Sequence, residues 1–261
     1  MSGVLRRVQS HLKIWRGTRW TLLLLLIAPL AWRPVFAAAD DCPAPPPNHI
    51  PAPPKTPPPL NIDDVKALLL DYHQQYYDLD VAAVFQSAQS FLEQNATRWT
   101  QPALVLDIDE TSLTNWPNIL ADNFGFIKDG TCDALPDGPC GFNQWILKSK
   151  AKAIDPAVKL FKAAKAKGVA VIFITGRREK QRDATLLNLD HEGFDGWTEL
   201  RTRADRDDLP NVEAFKSAER FKIEAEGYTI IANVGDQMSD LVGAPTGKCV
   251  FKVPNPFYFI P

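Results

Sequence analysis

Three pairs of polar residues follow apolar runs of the sequence. They are Asp107 with Asp109 after "LVL", Thr175 with Gly176 after "VIFI", and Asp236 with Asp240 after "IIANVG". Carboxylates that converge on one place repel each other unless a cation lies among them. Because the candidate ligands are oxygen atoms, without His or thiolate, they favour a hard ion, most simply Mg²⁺.

The same groups suit chemistry on a phosphate ester. Bound Mg²⁺ readily shares its shell with a phosphate oxygen, and a carboxylate can attack phosphorus to form an acyl phosphate. Asp107 is the candidate nucleophile, and Asp109 is the candidate acid and base. Thr175 and the amide of Gly176 are expected to hold phosphoryl oxygens, as a nest beginning a helix would. A lysine is still needed to offset the developing charge.

Four segments resemble the ordered motifs of the haloacid dehalogenase (HAD) superfamily of phosphohydrolases: "DIDET", "ITGR", a helix-borne lysine and "GDQMSD". Longer stretches are similar to its acid phosphatase branch, subfamily IIIB, which includes bacterial class C acid phosphatases and plant vegetative storage proteins. These stretches are "LVLDIDETSLTN", "ITGRREKQRDATLLNL", "FKSAER" and "GDQMSDLVG…FKVPNPFYFI". The resemblance runs from about residue 62 to the end of the sequence.

The resemblance implies a Mg²⁺-dependent phosphomonoesterase that favours acidic pH and acts on a small phosphorylated substrate. The implied roles are nucleophile and metal ligand for Asp107, acid/base and carbonyl metal ligand for Asp109, phosphate binding for Thr175, Gly176 and Lys216, and metal binding for Asp236 and Asp240. Lys222 is the reserve choice for the lysine. Glu110 has no implied catalytic role and is interpreted as structural.

Two other functions are compatible with the same motifs. One is a non-catalytic storage or metal-binding protein that keeps the fold, and the other is transfer of the phosphoryl group to an alcohol. Arg177 also has two interpretations, since it would either touch phosphate or brace the second motif through ion pairs.

Alternating elements are predicted to position these groups. Apolar strands are expected at 103–107, 169–175 and 228–236, with further short strands at 198–203 and 248–254. Helices are expected at 61–77, 80–95, 155–168, 178–191 and 211–227. Asn or Asp near the start of each of the first two helices, Asn61 and Asp80, can cap its first turn. Strands that are apolar throughout and separated by helices indicate an α/β fold with a doubly wound parallel sheet, covered on both faces. In such folds ligands bind beyond the carboxyl ends of the strands, where the strand order reverses.

A small cap is expected between the first two motifs, at about 115–150. It carries five aromatic residues: Trp116, Phe124, Phe126, Phe142 and Trp145. They either stack on substrate or, more simply, pack the cap against the core.

The N-terminus has the pattern of an export signal. Residues 1–39 hold six basic residues, no acidic residue and the 13-residue apolar stretch "WTLLLLLIAPLAW", too short to cross a bilayer as a helix. Cleavage is expected after Ala39 or Ala37, which leaves an exported, periplasmic or secreted protein without stable membrane insertion. A Pro-rich linker at 40–60 then precedes the phosphatase domain at 61–261.

Removal of residues 1–39 leaves 23 basic against 31 acidic residues, a formal charge of −8. Such a charge argues against a nucleic acid polymer as partner. The four cysteines allow three pairings, among which the sequence alone does not choose. The close pair Cys132 and Cys140 is the simplest bridge in an oxidising compartment, and Cys42 with Cys249 would then join the ends of the mature chain.

Overall fold

The computed structural model of the chain describes residues 42–52 and 61–260. The predicted signal peptide, its cleavage site and part of the predicted linker therefore lie outside the described residues. No helix in the described ranges has the length and apolar character needed to span a membrane.

A five-stranded sheet forms the centre of the domain. Its strands, in spatial order, are β5 (Glu199–Arg203), β4 (Ala170–Arg178), β1 (Pro102–Leu106), β6 (Thr229–Gly235) and β7 (Cys249–Lys252). Every neighbouring pair in this sheet is parallel. The predicted α/β fold with a parallel sheet is confirmed.

Helices cover the sheet and form the smaller insert. They are α1 (Ile62–Tyr72), α2 (Asp78–Asn95), α3 (Trp116–Ala121), α4 (Phe142–Leu147), α5 (Asp155–Ala166), α6 (Arg182–His191), α7 (Val212–Ala225) and α8 (Met238–Leu241). The segment expected to form a cap contains α3 and α4. A two-stranded antiparallel pair closes its base, formed by β2 (Leu113–Thr114) and β3 (Lys152–Ala153).

The apolar runs form strands because both faces of the sheet are buried. Within β1, Leu104 and Leu106 belong to an apolar cluster shared with α2 and α5, whereas Ala103 and Val105 belong to a second cluster shared with α7. Successive side chains of a strand point to opposite faces, so a run that is apolar at every position packs against helices on both sides.

The strand order reverses beside β1. The chain passes from β1 to β4 and β5 on one side, then returns through β6 and β7 on the other. The carboxyl ends of β1, β4 and β6 therefore meet at the switch point, where ligands of open α/β sheets bind. All three pairs of polar residues singled out in the sequence lie at or near these strand ends.

Strand β4 is longer than the sequence predicted, and the following helix begins later. The predicted strand ends at residue 175, whereas β4 continues through Arg178 and pairs with β5 across a register shift between Thr175 and Arg178. A 3₁₀ turn at Glu179–Gln181 precedes α6. The helix predicted from residue 178 therefore begins four residues later, and Thr175 and Gly176 lie in an irregular part of a paired strand instead of leading directly into a helix.

The first two helices are joined by a π-helical turn at His73–Tyr77. Asn61 caps α1, since its side chain accepts a hydrogen bond from the backbone N–H of Asp63 at 2.9 Å. No comparable side-chain cap begins α2. Asp80, which the sequence suggested as a cap, is buried and accepts bonds from His49 and Tyr72 instead.

Two disulfides join the four cysteines. Cys132 is joined to Cys140 within the insert, and Cys42 is joined to Cys249 at the start of β7. Residues 42–52 have no regular secondary structure. The second bridge and His49 hold this segment against the domain, so the described part of the predicted linker is not a free spacer.

Candidate active site

Asp107 follows the last residue of β1 and is the central residue of the site. Its backbone N–H donates to the carbonyl of Val234 in β6 at 3.0 Å, and its own carbonyl accepts from the hydroxyl of Ser112 at 2.6 Å. Only 5% of the residue is exposed. Burial raises the pKa of Asp107 well above its ordinary value, Lys216 opposes the shift, and the neighbouring carboxylates add to it.

Lys216 reaches Asp107 from α7. Its ammonium group donates to Oδ1 of Asp107 and to Oδ1 of Asp240, and the side chain is buried. Burial alone would lower the pKa of Lys216, but the two carboxylates raise it, so the lysine stays charged. Lys222, the alternative lysine, has a side chain that is 57% exposed, and its ammonium group pairs with Glu219 one turn earlier on α7. The structure therefore places Lys216 in the site and Lys222 outside it.

Asp236 and Asp240 complete a buried group of three carboxylates with Asp107. One oxygen from each of the three lies within 4.8 Å of the others. Burial, followed by the charge of Asp240, raises the pKa of Asp236 to about 7. A Cβ atom on Gly235 would lie 2.3 Å from the side chain of Asp240, so glycine allows this carboxylate to fold back against the end of β6.

This donor set fits a hard divalent cation. Three carboxylates face one Lys216 in a buried setting, which leaves negative charge to be compensated. Carboxylate oxygens are the ligands that Mg²⁺ prefers, and Mg²⁺ typically takes one or two of them with waters and a phosphate oxygen. The residues present are thus suited to hold such an ion beside Asp107.

Asp109 turns its carboxylate away from the group of three and toward Arg177. Nη2 of Arg177 donates to Oδ1 at 2.7 Å, and Nε lies 3.2 Å from both oxygens. Asn115 donates to the same Oδ1 at 2.9 Å. Burial favours the protonated acid, but the charge and hydrogen bonds of Arg177 and the bond from Asn115 outweigh it and hold the pKa of Asp109 below its ordinary value. The structure favours the bracing interpretation of Arg177.

Thr175 and Gly176 lie in β4, and of the two only Gly176 lines the cavity that contains the carboxylates. Thr175 is fully buried, and its hydroxyl accepts a hydrogen bond from the backbone N–H of Arg177 at 3.2 Å. Gly176 lines the same cavity as Asp107 and Asp109. The pairing of β4 with β5 is interrupted here by the register shift, so the backbone at Gly176 is irregular although no helix begins at this point.

Glu110 joins three parts of the chain behind the site. It adopts a left-handed backbone conformation, with φ of +52°, in the tight turn after β1. Its carboxylate accepts from the side chain of Asn115 at 3.0 Å and from the hydroxyl of Tyr258 at 2.6 Å. Burial, together with the charge of Asp109, raises the pKa of Glu110 to about 7. These contacts agree with the structural role expected from the sequence.

A cavity of about 490 Å³ opens above the carboxylates. Asp107, Lys216 and Gly176 line its floor, and its walls are largely apolar. The aromatic wall residues are Phe124, Phe126, Phe142, Phe257, Tyr258 and Phe259. A pocket with a few converging polar groups and apolar walls is the usual form of a small-molecule site.

The aromatic residues of the insert divide into two sets. Trp145 is buried and donates its Nε1–H to Oδ1 of Asn115 at 2.8 Å, while Trp116 stacks on His73 with ring centroids 3.5 Å apart. These two tryptophans pack the insert against the core. In contrast, Phe126 is 73% exposed at the cavity, where it stands 5.8 Å from Phe142. The packing interpretation therefore applies to the two tryptophans, whereas stacking on substrate stays a prediction for Phe126 and Phe142.

The polar residues of the site that were not singled out from the sequence include Asn115, Gln237, Asn255 and Tyr258. Gln237 and Asn255 donate to Oδ2 of Asp236 at 2.6 and 2.7 Å. The segments "DETSLTN" and "GDQMSDLVG…FKVPNPFYFI" contained all four, and the similarity of these segments to the family was the only signal for them.

Comparison with known proteins agrees with this geometry. The chain is 33% identical to "Acid phosphatase 1" of Solanum lycopersicum over 156 residues, and this match covers 60% of this chain and 58% of that protein. It is 30% identical to "Stem 28 kDa glycoprotein" of Glycine max, over 72% of this chain and 71% of that protein. The class C acid phosphatase of Bacillus anthracis has a similar fold, with a TM-score of 0.56 and 23% identity over 75% of this chain and 86% of that one.

The match to the first of these relatives spans less than two thirds of its length. A family model, by contrast, matches this chain over residues 57–261, which include the whole sheet and every residue of the site. The chain belongs to the HAD superfamily, subfamily IIIB (acid phosphatase).

Proposed function

We propose that this chain is an exported, Mg²⁺-dependent acid phosphatase that hydrolyses phosphate monoesters through an aspartyl-phosphate on Asp107. One observation carries the proposal: Asp107 lies at the floor of the cavity, in contact with Lys216 and grouped with Asp236 and Asp240. A protein that only bound a cation would not need a buried lysine on the nucleophile. The preference for acidic pH comes from the family.

In the first step a carboxylate oxygen of Asp107 attacks phosphorus, and the bond from phosphorus to the ester oxygen breaks. The leaving alcohol takes a proton from Asp109, which must enter this step protonated although Arg177 and Asn115 lower its pKa, a requirement that acidic pH helps to meet. In the second step Asp109 accepts a proton from water, which attacks the phosphorus of the acyl phosphate. This step releases inorganic phosphate and restores Asp107.

The other residues bind and orient the reacting groups. Lys216 lies where negative charge grows on the transferred phosphoryl group, and the Thr175 hydroxyl and Gly176 amide bind its oxygens. Arg177 and Asn115 keep the carboxylate of Asp109 fixed beside Asp107. Mg²⁺ held by Asp107, Asp236, Asp240 and the carbonyl of Asp109 would neutralise charge on the phosphate and orient it.

A tetrahedral oxyanion suits this site. A solved structure of the Bacillus anthracis class C acid phosphatase, with a TM-score of 0.54 to this chain, is described as having tungstate bound. Tungstate has the shape of phosphate, so the same fold accommodates such an anion in that protein. This supports a phosphoryl group as the part of the substrate that is recognised.

Export is supported by the two disulfides and by relatives named glycoproteins. Disulfides persist in oxidising compartments. We therefore assign residues 1–39 as a signal peptide, 40–60 as a Pro-rich linker and 61–261 as the phosphatase domain, with its cap at about 115–150.

A second function is favoured by the names of two relatives, "Vegetative storage protein 1" and "Vegetative storage protein 2" of Arabidopsis thaliana, each 27% identical to this chain. An assay of the mature chain with an aryl phosphate, with and without chelator, separates the two functions. We expect activity that requires Mg²⁺ and that Asp107→Asn abolishes. An inactive wild type in Mg²⁺ would favour storage, and full activity in Asp107→Asn would exclude the mechanism.

Phosphotransfer is tested in the same assay by adding an alcohol such as glycerol. Hydrolysis predicts that release of inorganic phosphate equals release of the aryl alcohol. A shortfall of phosphate matched by a new phosphate ester would show that an alcohol resolves the intermediate in place of water.

A further inference from the structure

The C-terminal tail, residues 253–260, runs beside the carboxylate group after β7 ends. The backbone N–H of Val253 donates to the carbonyl of Gly235 at 2.8 Å, which continues the alignment of β7 with β6. Further along, the buried Phe257 packs against Tyr77 and Trp116, with ring centroids 5.3 and 5.0 Å away. Asn255 lies between these two anchors, directly beside Asp236.

The side chain of Asn255 has a fixed orientation. Its Oδ1 accepts a hydrogen bond from the backbone N–H of Phe257 at 2.9 Å, an Asx turn. Its Nδ2 donates to Oδ2 of Asp236 at 2.7 Å. Reversal of the amide would break both bonds, since an oxygen would face the carboxylate and an NH₂ group would face the N–H. The turn therefore presents a donor to Asp236.

The two oxygens of Asp236 are not equivalent. Oδ2 accepts two short bonds, from Gln237 Nε2 at 2.6 Å and from Asn255 at 2.7 Å. Oδ1 accepts one longer bond, from the hydroxyl of Thr111 at 3.3 Å. Two neutral amides thus fix the rotation of the carboxylate without cancelling its charge, and they leave Oδ1 with the greater free capacity to bind a cation.

We infer that Asn255 is a positioning residue that fixes Asp236 for metal binding, which makes the C-terminal tail part of the metal site. The inference rests on the proposed function, in which Asp236 holds Mg²⁺. Groups that hydrogen-bond to the ligands of a metal orient them, and loss of such a group typically lowers metal affinity by about 10–100-fold. Asn255 meets this description although it lies 19 residues from Asp236 in sequence.

Calorimetric titration of the metal-free mature protein with Mg²⁺ tests the inference without an assay of activity. The variant is Asn255→Ser, because a hydroxyl can still accept from the N–H of Phe257 but is too short to reach Asp236. We expect its affinity for Mg²⁺ to fall by about 10–100-fold. Asn255→Thr gives the same test if the first variant does not fold.

Two controls separate positioning from loss of structure. Asn61→Ser makes the same exchange at the exposed cap of α1, where serine also caps, and it should bind Mg²⁺ like wild type. Phe161→Leu weakens the core at α5, where Phe161 packs against Phe194 with ring centroids 5.3 Å apart, away from the tail and the cavity. It should lower the melting temperature in chelator while keeping the affinity for Mg²⁺.

The outcomes distinguish this inference from the proposed function. If wild type binds Mg²⁺ and Asn255→Ser and Asn255→Thr bind it equally well, Asn255 does not position Asp236, and the proposed function stands. An equal loss in Asn61→Ser or Phe161→Leu would also overturn the inference. If wild type itself fails to bind Mg²⁺, the proposed function fails.

Discussion

The guanidinium group of Arg177 donates hydrogen bonds to the carboxylate of Asp109, with Nη2 2.7 Å from Oδ1 and Nε 3.2 Å from both oxygens. The arginine side chain is 1% exposed and the aspartate side chain 16% exposed. Asp109 is thus held beside Asp107 by a planar group with a fixed donor geometry, which lysine does not reproduce. This contact therefore fixes the orientation of Asp109, the proposed acid and base.

Replacement of Arg177 by Lys should lower kcat by about 10–100-fold, because a misplacement of about 1 Å at a reacting group can cost about 100-fold. Steady-state kinetics on an aryl phosphate provides the measurement. Arg182→Lys, a matched change on α6 outside the cavity, should have little effect. A rise in KM with unchanged kcat would instead show that Arg177 binds the substrate, and that it does so equally in the ground state and in the transition state.

Replacement of Lys216 by Met should lower both activity and stability. The change leaves Asp107 and Asp240 buried without their cation, and loss of one partner from a buried ion pair costs about 3–5 kcal/mol. Urea unfolding in chelator should show this loss, and kcat should fall at least about 100-fold because charge on the transferred group is no longer offset.

Lys222→Met is the matched control on the same helix. The side chain of Lys222 is 57% exposed, and among the described residues its ammonium group contacts only Glu219, which Arg201 also pairs with. Stability should therefore change by about 0.5 kcal/mol or less. Equal effects of the two changes would show that the site does not depend on Lys216.

Periodicity and composition were enough to predict most of the fold. Strands β1, β4 and β6 contain continuous apolar runs because both faces of the sheet are covered, and such runs are readable without a structure. The carboxyl ends of parallel strands lie at one edge, so Asp107 and Asp236 could be expected to meet. The family resemblance then selected Lys216, whose helical position alone did not distinguish it from Lys222.

Residues whose partners are distant in sequence could not be predicted in the same way. Tyr258 bonds to Glu110 across 148 residues, and Asn255 reaches Asp236 through an irregular tail. The periodic spacing of apolar residues, which reveals helices and strands, gives no sign of such contacts. The bulge at Gly176 and the burial of Asp80 were missed for a related reason, since tertiary partners override the local preference for a helix start or a cap.

Binding of Mg²⁺ should stabilise the domain against heat. A ligand that binds only the folded state adds about 2.7 kcal/mol at 100 times its Kd, and each kcal/mol raises the Tm of a domain of this size by about 2–4 °C. Calorimetric scans should therefore show a rise of about 5–10 °C over a chelator sample of equal ionic strength. A double change, Asp236→Asn with Asp240→Asn, should remove the rise, and a rise that persists there would place the ion elsewhere.

Asp80 gives a pH-dependent contribution to stability far from the site. It is 2% exposed, and its carboxylate accepts from the backbone N–H of His49 at 2.7 Å, lies 2.6 Å from Nδ1 of His49 and accepts from Tyr72 at 3.0 Å. Burial opposes ionisation, but these bonds outweigh it and lower the pKa of Asp80 below its ordinary value of 3.8. The folded state therefore favours the ionised form.

A group whose pKa is depressed by folding contributes stability above its unfolded pKa and loses it as the pH falls through the folded pKa. Asp80→Asn should thus cost about 1–3 kcal/mol at pH 7, the usual range for hydrogen bonds to a charged group. The difference in unfolding free energy between wild type and Asp80→Asn should stay constant down to about pH 5 and shrink below about pH 4. At low pH the carboxylate of Asp80 in wild type takes up a proton, and its advantage over the neutral amide is lost. Urea unfolding across this pH range measures the difference, and Asp78→Asn, at an exposed position, is the control. If the difference stays unchanged down to pH 3, or if Asp78→Asn shows the same difference, the ionised carboxylate of Asp80 is not its source.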